Sequence, residues 1–291
     1  MSRGENLVLK PVDAIRGVVP EEYWFLIPRR HEEVGDICLV KLPRELSDFY
    51  PKIGNAILRN FPQFRVVAVR TGRIKNEERV GEVKVIAGEN RTETVHREYG
   101  CSYKLDLAKV FFSPRLSYEH NRVANLVRSG EVVLNMFSGV GTFSILIAKR
   151  VRDCRVYSVD INPSAVKYLK ESILLNRVED RVFAILGDAG KVEEPTHVNR
   201  IIMPLPLRAY EYLEHVARKI VSGGMIHYYD TVPAHGTKSQ QLERLCERVT
   251  NRLRELGLRV EIPYRRRIRS LTPGFYLSVL DILVVEKGLK I

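Results

Sequence analysis

The second half of the chain alternates short apolar runs with amphipathic helical runs. Apolar runs that predict strands cover residues 132–134, 155–159, 182–185, 200–203 and 225–229. The spacing of apolar residues between them predicts helices over 143–149, 164–176, 208–220 and 238–256. Because parallel strands need crossover connections, this alternation predicts an α/β fold with an open, mostly parallel sheet and helices on both faces. Two closing strand-like runs have only a turn between them and predict an antiparallel edge hairpin, over 259–268 and 275–285.

The first half follows a different pattern. Short apolar runs separated by turns lie at 36–42, 64–69, 83–87 and 94–96, and one helical run covers 52–60. This mixture predicts a small α+β domain. An amphipathic helix over 117–129 then leads into the first strand of the second half. The predicted organisation is an N-terminal extension over 1–34, a small α+β domain over 35–110 and an α/β domain over 111–291.

The connection after the first strand of the α/β domain carries a candidate ligand site. Gly139 and Gly141 form a Gly-x-Gly turn between strand and helix, and the next strand ends on Asp160. Glycines let the backbone approach a ligand, and an acid after the second strand can accept both ribose hydroxyls. Ser144 stands where a dinucleotide fingerprint has its third glycine, so no pyrophosphate cradle is specified. The pattern favours a nucleoside without phosphates, of which S-adenosylmethionine is the common one.

Ligands of such sheets bind outside the carboxyl ends of the strands, where three segments should meet. We expect Phe137 and Ile161 to supply apolar faces for the nucleoside, Asp160 to bind the ribose, and Asp188, with Ala189 after it, to bind the adenine amino group. The alternative is that each aspartate only caps a following helix. For Asp160 a cap is already offered by the Asn-Pro pair at 162–163.

Composition indicates the kind of binding partner and excludes several classes of protein. Lys and Arg total 47 against 35 Asp and Glu, which gives a net charge of +12. Such a surplus indicates a polyanionic partner, most simply nucleic acid, although a solvated basic surface is the alternative. Four scattered cysteines without a C-x-x-C pair indicate reduced, buried thiols and a cytoplasmic protein. No zinc spacing, long apolar span or secretion signal is present, so we expect no metal and no membrane segment.

Several linked motifs resemble a known family. The run HREYGCSYKLDLAKVFFSPRLSYEHNRVA at 96–124 is followed by NMFSGVGTF, DINPSA, LGDA, GGMIHYY and the TPGFY–LDILV ending. Over about residues 35–291 the chain resembles the archaeal and eukaryotic tRNA (guanine-37-N1)-methyltransferases and the related wyosine-pathway transferases. The resemblance implies a class I, Rossmann-like methyltransferase domain and a small RNA-contacting domain. It also implies methyl transfer from S-adenosylmethionine to guanosine 37, with the family's further N-terminal domain largely absent.

The resemblance also implies roles for single residues. The family's general base is a glutamate in the helix after F-S-P-R, where Glu119 stands. Guanine N1 carries a proton, and a carboxylate within hydrogen-bonding reach can withdraw it. The family places an arginine of the smaller domain near guanine O6. Arg79 is the nearest match and Arg97 the second, with contact to phosphate as the alternative for both.

Three positions depart from the family pattern. Asn135 stands where the family usually has Asp, and His120 follows the proposed base where Arg is common. The family's Asn-Leu-Pro motif begins here with Pro204, which offers no side-chain donor to the target base. We place His120 and Pro204 among the cofactor-binding candidates. The changes leave room for a different target, such as a tricyclic wyosine precursor, or for transfer of an aminocarboxypropyl group.

Basic side chains complete the predicted site. Arg265, Arg266 and Arg267 lie in the edge hairpin, and Arg97 and Arg115 precede the predicted base. We expect them to contact RNA phosphates, with a solvated face as the alternative. The segment 227–229 ends a strand, and the sequence leaves core packing and pocket lining equally open for it.

The leading hypothesis is a monomeric tRNA methyltransferase that acts on N1 of guanosine 37 in the anticodon stem-loop. A wyosine-pathway transferase and a catalytically impaired RNA-binding homologue are the alternatives. A nicotinamide-dependent dehydrogenase is disfavoured by Ser144 and by the terminal hairpin.

Overall fold

The structure, a computed structural model, describes residues 10–75 and 80–288. They divide into two compact units between Ser117 and Tyr118. Arg79, a candidate from the sequence, lies outside the described residues. Each unit has its own sheet and its own buried core, and each is described by itself below.

The first unit is an α+β fold. A four-stranded sheet has the order β1-β2-β3-β4, with β2 and β3 parallel, and β5 and β6 form a separate antiparallel pair. The strands are β1 (His31–Val34), β2 (Ile37–Val40), β3 (Val66–Lys75), β4 (Val80–Gly88), β5 (Glu93–Glu98) and β6 (Cys101–Asp106). The helices are α1 (Asp13–Arg16), α2 (Tyr50–Asn60) and three 3-10 segments, Glu21–Leu26, Arg44–Phe49 and Pro114–Leu116.

Helix α2 covers one face of the four-stranded sheet. Its residues Ile53 and Ile57 are fully buried in a cluster that also takes in Val12 and Ile15 from the N-terminal segment. The helix approaches β4 closely at Gly54, where an added Cβ would lie 2.5 Å from the Ala87 Cβ. Glycine is therefore required there because the two backbones leave no room for a side chain.

The second unit is an α/β fold. Its strands are β7 (Val132–Asn135), β8 (Arg155–Asp160), β9 (Val182–Leu186), β10 (Val198–Met203), β11 (Ile220–Pro233), β12 (Leu258–Thr272) and β13 (Phe275–Lys287). Its helices are α3 (Ser117–Ala124), α4 (Thr142–Arg150), α5 (Pro163–Asn176), α6 (Leu213–Lys219), α7 (Lys238–Glu255) and a 3-10 segment, Ala209–Tyr212.

The seven strands have the order β12-β13-β11-β10-β7-β8-β9. The five strands from β11 to β9 pair in parallel, whereas β13 pairs antiparallel with both β11 and β12. The α/β class, the mostly parallel sheet and the antiparallel edge hairpin predicted from the sequence are therefore confirmed. Because β7, β8 and β9 are parallel, their carboxyl ends lie at one edge of the sheet, beside the point between β7 and β10 where the strand order reverses.

Of the predicted helices, two differ most from the structure. The helix predicted over 117–129 ends at Ala124, because the chain turns through Gly130, at φ +82°, to enter β7. The helix predicted over 208–220 ends at Lys219, and the Gly223–Gly224 pair lies inside β11 rather than before it. Register between β10 and β11 shifts across this pair, so the glycines form a strand irregularity and not a helix stop.

Strand β11 separates two packed faces of the second unit. Tyr228 belongs to the large apolar cluster under α6 and α7, while the neighbouring Tyr229 contacts Phe143 of α4 on the other face. Successive strand residues point to opposite faces, so one strand can serve two different clusters. Among the helices of the described residues, none is long and apolar enough to cross a membrane.

Candidate active site

The glycine turn and the acid after β8 are joined by a hydrogen bond. Gly139 and Gly141 adopt φ angles of +53° and +91°, which glycine permits. The Gly139 amide donates to Asp160 Oδ2 at 2.7 Å, and the Asn162 amide donates to Oδ1 at 2.9 Å. These two bonds fix the carboxylate beside the turn.

Neither aspartate serves as a helix cap. The cap of α5 is Asn162, whose Oδ1 accepts from the amides of Ser164 and Ala165 at 2.9 and 3.4 Å. Asp188 follows β9 and accepts from the Gly190 amide at 2.9 Å, in a turn that leads to β10 without a helix. Both carboxylates thus lie at the carboxyl edge of the sheet, after adjacent strands.

Apolar side chains flank the two aspartates. Ile161 is 45% exposed beside Asp160, and Ala189 is buried in the core cluster beside Asp188. Phe137 packs edge-on against Tyr212, with ring centroids 4.9 Å apart. An exposed isoleucine next to a carboxylate is a suitable apolar contact for a flat ring whose polar edge binds the acid.

Ser144 has a structural reason to replace the third glycine. Its buried hydroxyl accepts from Asn135 Nδ2 at 3.1 Å and from the Ser158 hydroxyl at 2.7 Å. Asn135 Oδ1 and Ser138 Oγ are buried without a hydrogen-bond partner among the described residues. Buried polar atoms are rarely left unpaired, so these two atoms at the turn fit a site that a polar ligand completes.

Glu119 lies in α3 and is only 1% exposed. Its Oε2 accepts from the Tyr229 hydroxyl and from Arg122 Nε, each at 3.0 Å. Its Oε1 is buried and has no hydrogen-bond partner among the described residues. Burial, and then the Glu119 charge, raise the pKa of Tyr229 well above its usual value, so this hydroxyl stays protonated and donates. The carboxylate therefore has one satisfied oxygen and one open acceptor.

His120 points to the start of α4 rather than to solvent. Its Nε2 lies 3.1 Å from the Thr142 hydroxyl, and its ring packs edge-on against Phe143 at 4.6 Å. Thr142 directly follows Gly141, so His120 supports the helix that begins at the glycine turn.

Pro204 begins the loop that follows β10. The loop's Leu207 has φ +80°, an uncommon backbone for leucine, and its amide donates to Asp230 Oδ1 at 3.2 Å. The buried Asp230 also accepts from the Tyr228 hydroxyl at 2.6 Å and pairs with Arg248 at 2.7 Å. Asp230, which the sequence did not single out, therefore anchors the loop that carries the departure from the family motif.

The basic candidates lie on both units. Within the second unit, Arg265 and Arg267 contact Cys246 and Gln241 of α7, whereas Arg266 lies over the Tyr118 ring, with 4.9 Å to the centroid. The strand alternation of β12 thus sends these arginines to opposite faces. Within the first unit, Arg97 is exposed on β5, and Arg115 pairs with Glu32 at 3.1 Å.

All four cysteines lie in the described residues, are buried and form no disulfide. The described residues contain no group of side chains that could hold a metal ion.

The second unit has a class I methyltransferase fold. Its features are a mostly parallel sheet with an antiparallel edge hairpin, a glycine turn after one strand and an acid after the next. A family model described as TRM5/TYW2 methyltransferase domain matches residues 94–258, and one described as TYW2 N-terminal domain matches residues 12–92. The chain belongs to the TRM5/TYW2 family of S-adenosylmethionine-dependent tRNA methyltransferases.

Curated relatives carry more than one activity in their names. Trm5b of Pyrococcus abyssi, a tRNA (guanine(37)-N(1))-methyltransferase, is 42% identical over 91% of this chain and 78% of its own. Taw21 of Saccharolobus solfataricus, a tRNA 4-demethylwyosine(37)-methyltransferase, is 39% identical over 87% of this chain and 93% of its own. A third relative is a tRNA(Phe) (4-demethylwyosine(37)-C(7)) aminocarboxypropyltransferase of Methanocaldococcus jannaschii. It is 33% identical over 87% of this chain and 96% of its own.

Solved structures are similar over nearly the whole chain. A complex of aTrm5 and tRNALeu has a TM-score of 0.81 at 31% identity, and covers 97% of this chain and 82% of its own. TYW2 of Pyrococcus horikoshii in complex with MeSAdo has a TM-score of 0.77 at 29% identity. The match covers 94% of this chain and 97% of that one. The cofactor is S-adenosylmethionine, and the turn, the two aspartates and the unpaired polar atoms described above fit it.

Proposed function

We propose that this protein transfers a methyl group from S-adenosylmethionine to N1 of guanosine 37 in tRNA. The proposal is supported by the 42% identity to a relative named for that reaction. It is also supported by the likeness to a structure in complex with tRNALeu and by the net charge of +12. A cationic surface favours a polyphosphate chain through neutralisation of its charges.

The open oxygen of Glu119 is the observation that carries the proposal. Guanine N1 holds a proton and is a poor nucleophile until that proton leaves. Glu119 Oε1 is buried without a partner among the described residues, and Oε2 is held by Tyr229 and Arg122. Glu119 would act as the general base and take the N1 proton on Oε1. The bound cofactor would supply the methyl group, whose bond to sulfur would break, with its electron pair left on the sulfur, as the bond from N1 to the methyl carbon forms.

Other residues hold the cofactor, which supplies an electrophilic methyl group when bound. Asp160 accepts the ribose hydroxyls, and Asp188 accepts the adenine amino group. Ile161, Ala189 and Phe137 enclose the purine, and the glycine turn allows close approach of the backbone. We also assign His120 and Pro204 to this pocket; the assignment of His120 is supported by its contact with Thr142, the residue after Gly141.

Arginines bind the RNA. Arg265, Arg266 and Arg267 in the second unit, and Arg97 and Arg115 in the first, contact phosphates, while Arg79 stabilises the negative charge that develops on guanine O6. The target base is flipped out of its stack to reach the buried carboxylate.

A second function, transfer to a wyosine precursor at position 37, is favoured by Pro204. A proline cannot donate to the target base as the asparagine of the family motif does. The matches to the TYW2 N-terminal domain and to Taw21 support the same alternative.

One experiment separates the two functions. The protein is incubated with methyl-labelled S-adenosylmethionine and either an unmodified tRNA transcript, a transcript with adenosine at position 37, or tRNA carrying 4-demethylwyosine. Mass spectrometry of the nucleosides identifies the product. We expect 1-methylguanosine from the first substrate alone. Methyl label found only in the tRNA that carries 4-demethylwyosine would establish the wyosine reaction. Cofactor binding without any product would favour an impaired RNA-binding homologue.

A further inference from the structure

A row of hydrogen-bonded polar side chains, most of them buried, runs through the second unit and ends at Glu119. Arg122 donates to Asp281 through Nη1 at 2.5 Å and Nη2 at 3.1 Å, in addition to its bond to Glu119. The row continues from Asp281 Oδ1 to His227 Nδ1 at 2.7 Å, and from His227 Nε2 to Arg200 Nη1 at 2.8 Å. Arg200 closes the row on Glu131, at 2.7 and 2.9 Å.

The partners of His227 fix its tautomer. A guanidinium only donates, so Nε2 must accept from Arg200, and Nδ1 must then carry the proton that is donated to Asp281. Burial lowers the pKa of His227 and outweighs the Asp281 contact, which keeps the ring neutral. The neutral histidine thus links Arg200 to Asp281 by two hydrogen bonds and adds no charge to the row.

Asp281 and Arg122 stay ionised despite their burial. Burial would raise the pKa of Asp281, but the hydrogen bonds from His227 and Arg122 outweigh it and lower the pKa to about 2. Burial would likewise lower the pKa of Arg122, and the Asp281 hydrogen bond together with neighbouring charges raises it instead. Arg122 is therefore a fixed cation between two carboxylates, one of which is Glu119.

This geometry determines which Glu119 oxygen is open. Arg122 and Tyr229 both donate to Oε2, and Arg122 is held from behind by two bonds to Asp281. The Tyr264 ring, 4.5 Å from the Arg122 guanidinium carbon, limits its movement on another side. Rotation of the carboxylate would break both bonds to Oε2, so Oε1 remains the open acceptor.

We propose that Arg122, Asp281 and His227 are positioning residues that hold Glu119 with Oε1 directed to the proton of the target base. The inference rests on the proposed function, in which Glu119 is the general base. A buried ionic row is a weak source of stability, since well-packed apolar residues of similar volume are often as stable. A row that ends on an unsatisfied carboxylate oxygen instead serves to orient that carboxylate.

The test uses Asp281→Asn, which keeps the size of the side chain and an acceptor for His227 but turns an amide NH₂ toward Arg122. We expect the single-turnover rate of methyl transfer to fall about tenfold to hundredfold. The affinities for S-adenosylmethionine and tRNA should change less than about twofold, since Asp281 acts through Glu119 and not on either ligand. The matched control is Lys219→Gln, which removes a buried charge bonded to the carbonyls of Glu193 and Pro195, with wild-type rate expected.

Two readouts distinguish positioning from general damage. In the Glu119→Gln background, Asp281→Asn should add nothing further to the loss, because both changes remove the same function. The ratio of wild-type to Asp281→Asn rates should also shrink from about pH 7 to about pH 9, as guanine N1 begins to lose its proton unaided. Damage to the fold would lower the rate equally at every pH and add to the Glu119→Gln loss.

Arg122→Lys is the second variant and covers the case in which Asp281→Asn does not fold. An ammonium is a point charge and cannot bridge two carboxylates as the guanidinium fork does, so the same rate loss is expected. An unchanged rate in either folded variant, or losses that add to that of Glu119→Gln, would overturn the inference while leaving the proposed function intact. A wild-type protein that binds cofactor but leaves guanosine 37 unmethylated would overturn both.

Discussion

The two faces of β11 carry two buried carboxylate clusters that differ in one respect. On one face, Asp230 accepts from the Tyr228 hydroxyl, the Leu207 and Thr231 amides and Arg248. On the other face, Glu119 has two donors on one oxygen and none, among the described residues, on the other. A carboxylate whose oxygens are all paired holds structure, whereas one left half-paired in a buried site is available for chemistry.

The largest expected effect comes from Glu119→Gln. The amide keeps the shape but cannot take up a proton, so we expect the single-turnover rate to fall about 10² to 10³-fold with cofactor affinity within about twofold. Rapid-quench assays and calorimetric titration of the cofactor measure the two quantities. Glu243→Gln, an exposed change on α7, is the control. A loss of rate below threefold would show that Glu119 is not the base. The half-paired Glu119 would then differ from the fully paired Asp230 in hydrogen bonding but not in catalytic role.

Asp230→Ala should act on stability first. It leaves the Tyr228 hydroxyl and the Leu207 amide without their acceptor, so we expect the free energy of unfolding to fall by about 2–4 kcal/mol. Urea titration followed by circular dichroism measures the change, with Asp153→Ala at the surface as the control. Wild-type stability in Asp230→Ala would show that the paired carboxylate does not hold the loop.

Much of this arrangement could be predicted from local sequence. The glycine turn, the acid after β8, the Asn162 cap and the placement of Glu119 on a helix all depend on neighbours a few residues apart. The pairing of Arg122 with Asp281 joins positions 159 residues apart and could not be read from spacing. A signal was nevertheless present, because an aspartate inside the apolar run VLDILV must find a partner when the strand is buried.

The glycine pair at 223–224 shows a different limit. Two adjacent glycines after a helical run predict its end, yet the structure continues them as an irregular part of β11. Pairing with β10 across the sheet, which is a long-range interaction, outweighs the local preference. Long-range contacts also determine the role of residues 227–229. His227 and Tyr229 bind Asp281 and Glu119 on one face of β11, and Tyr228 binds Asp230 on the other.

His227 makes the stability of the Glu119 face depend on pH. Its pKa lies below the ordinary 6.5 because of burial, so below that pH the unfolded chain binds a proton that the folded chain does not. Stability is fully present above pH 6.5 and falls as pH decreases, by up to about 1.4 kcal/mol per pH unit from this group. Thermal unfolding of wild type and His227→Asn between pH 7 and pH 5 tests this, and equal slopes would contradict it.

The smallest expected effect is on the Asp230 face. Arg248 pairs with Asp230 at 2.7 Å, but its side chain is 51% exposed, so water screens much of the attraction. Arg248→Gln should therefore cost less than about 1 kcal/mol in the free energy of unfolding, well below the loss expected for Asp230→Ala. Urea titration of both variants measures the two losses in the free energy of unfolding. Because the Leu207, Thr231 and Tyr228 donors remain, the carboxylate stays paired without its arginine. Equal losses would mean that the ion pair, and not the pairing of the carboxylate as a whole, holds this face.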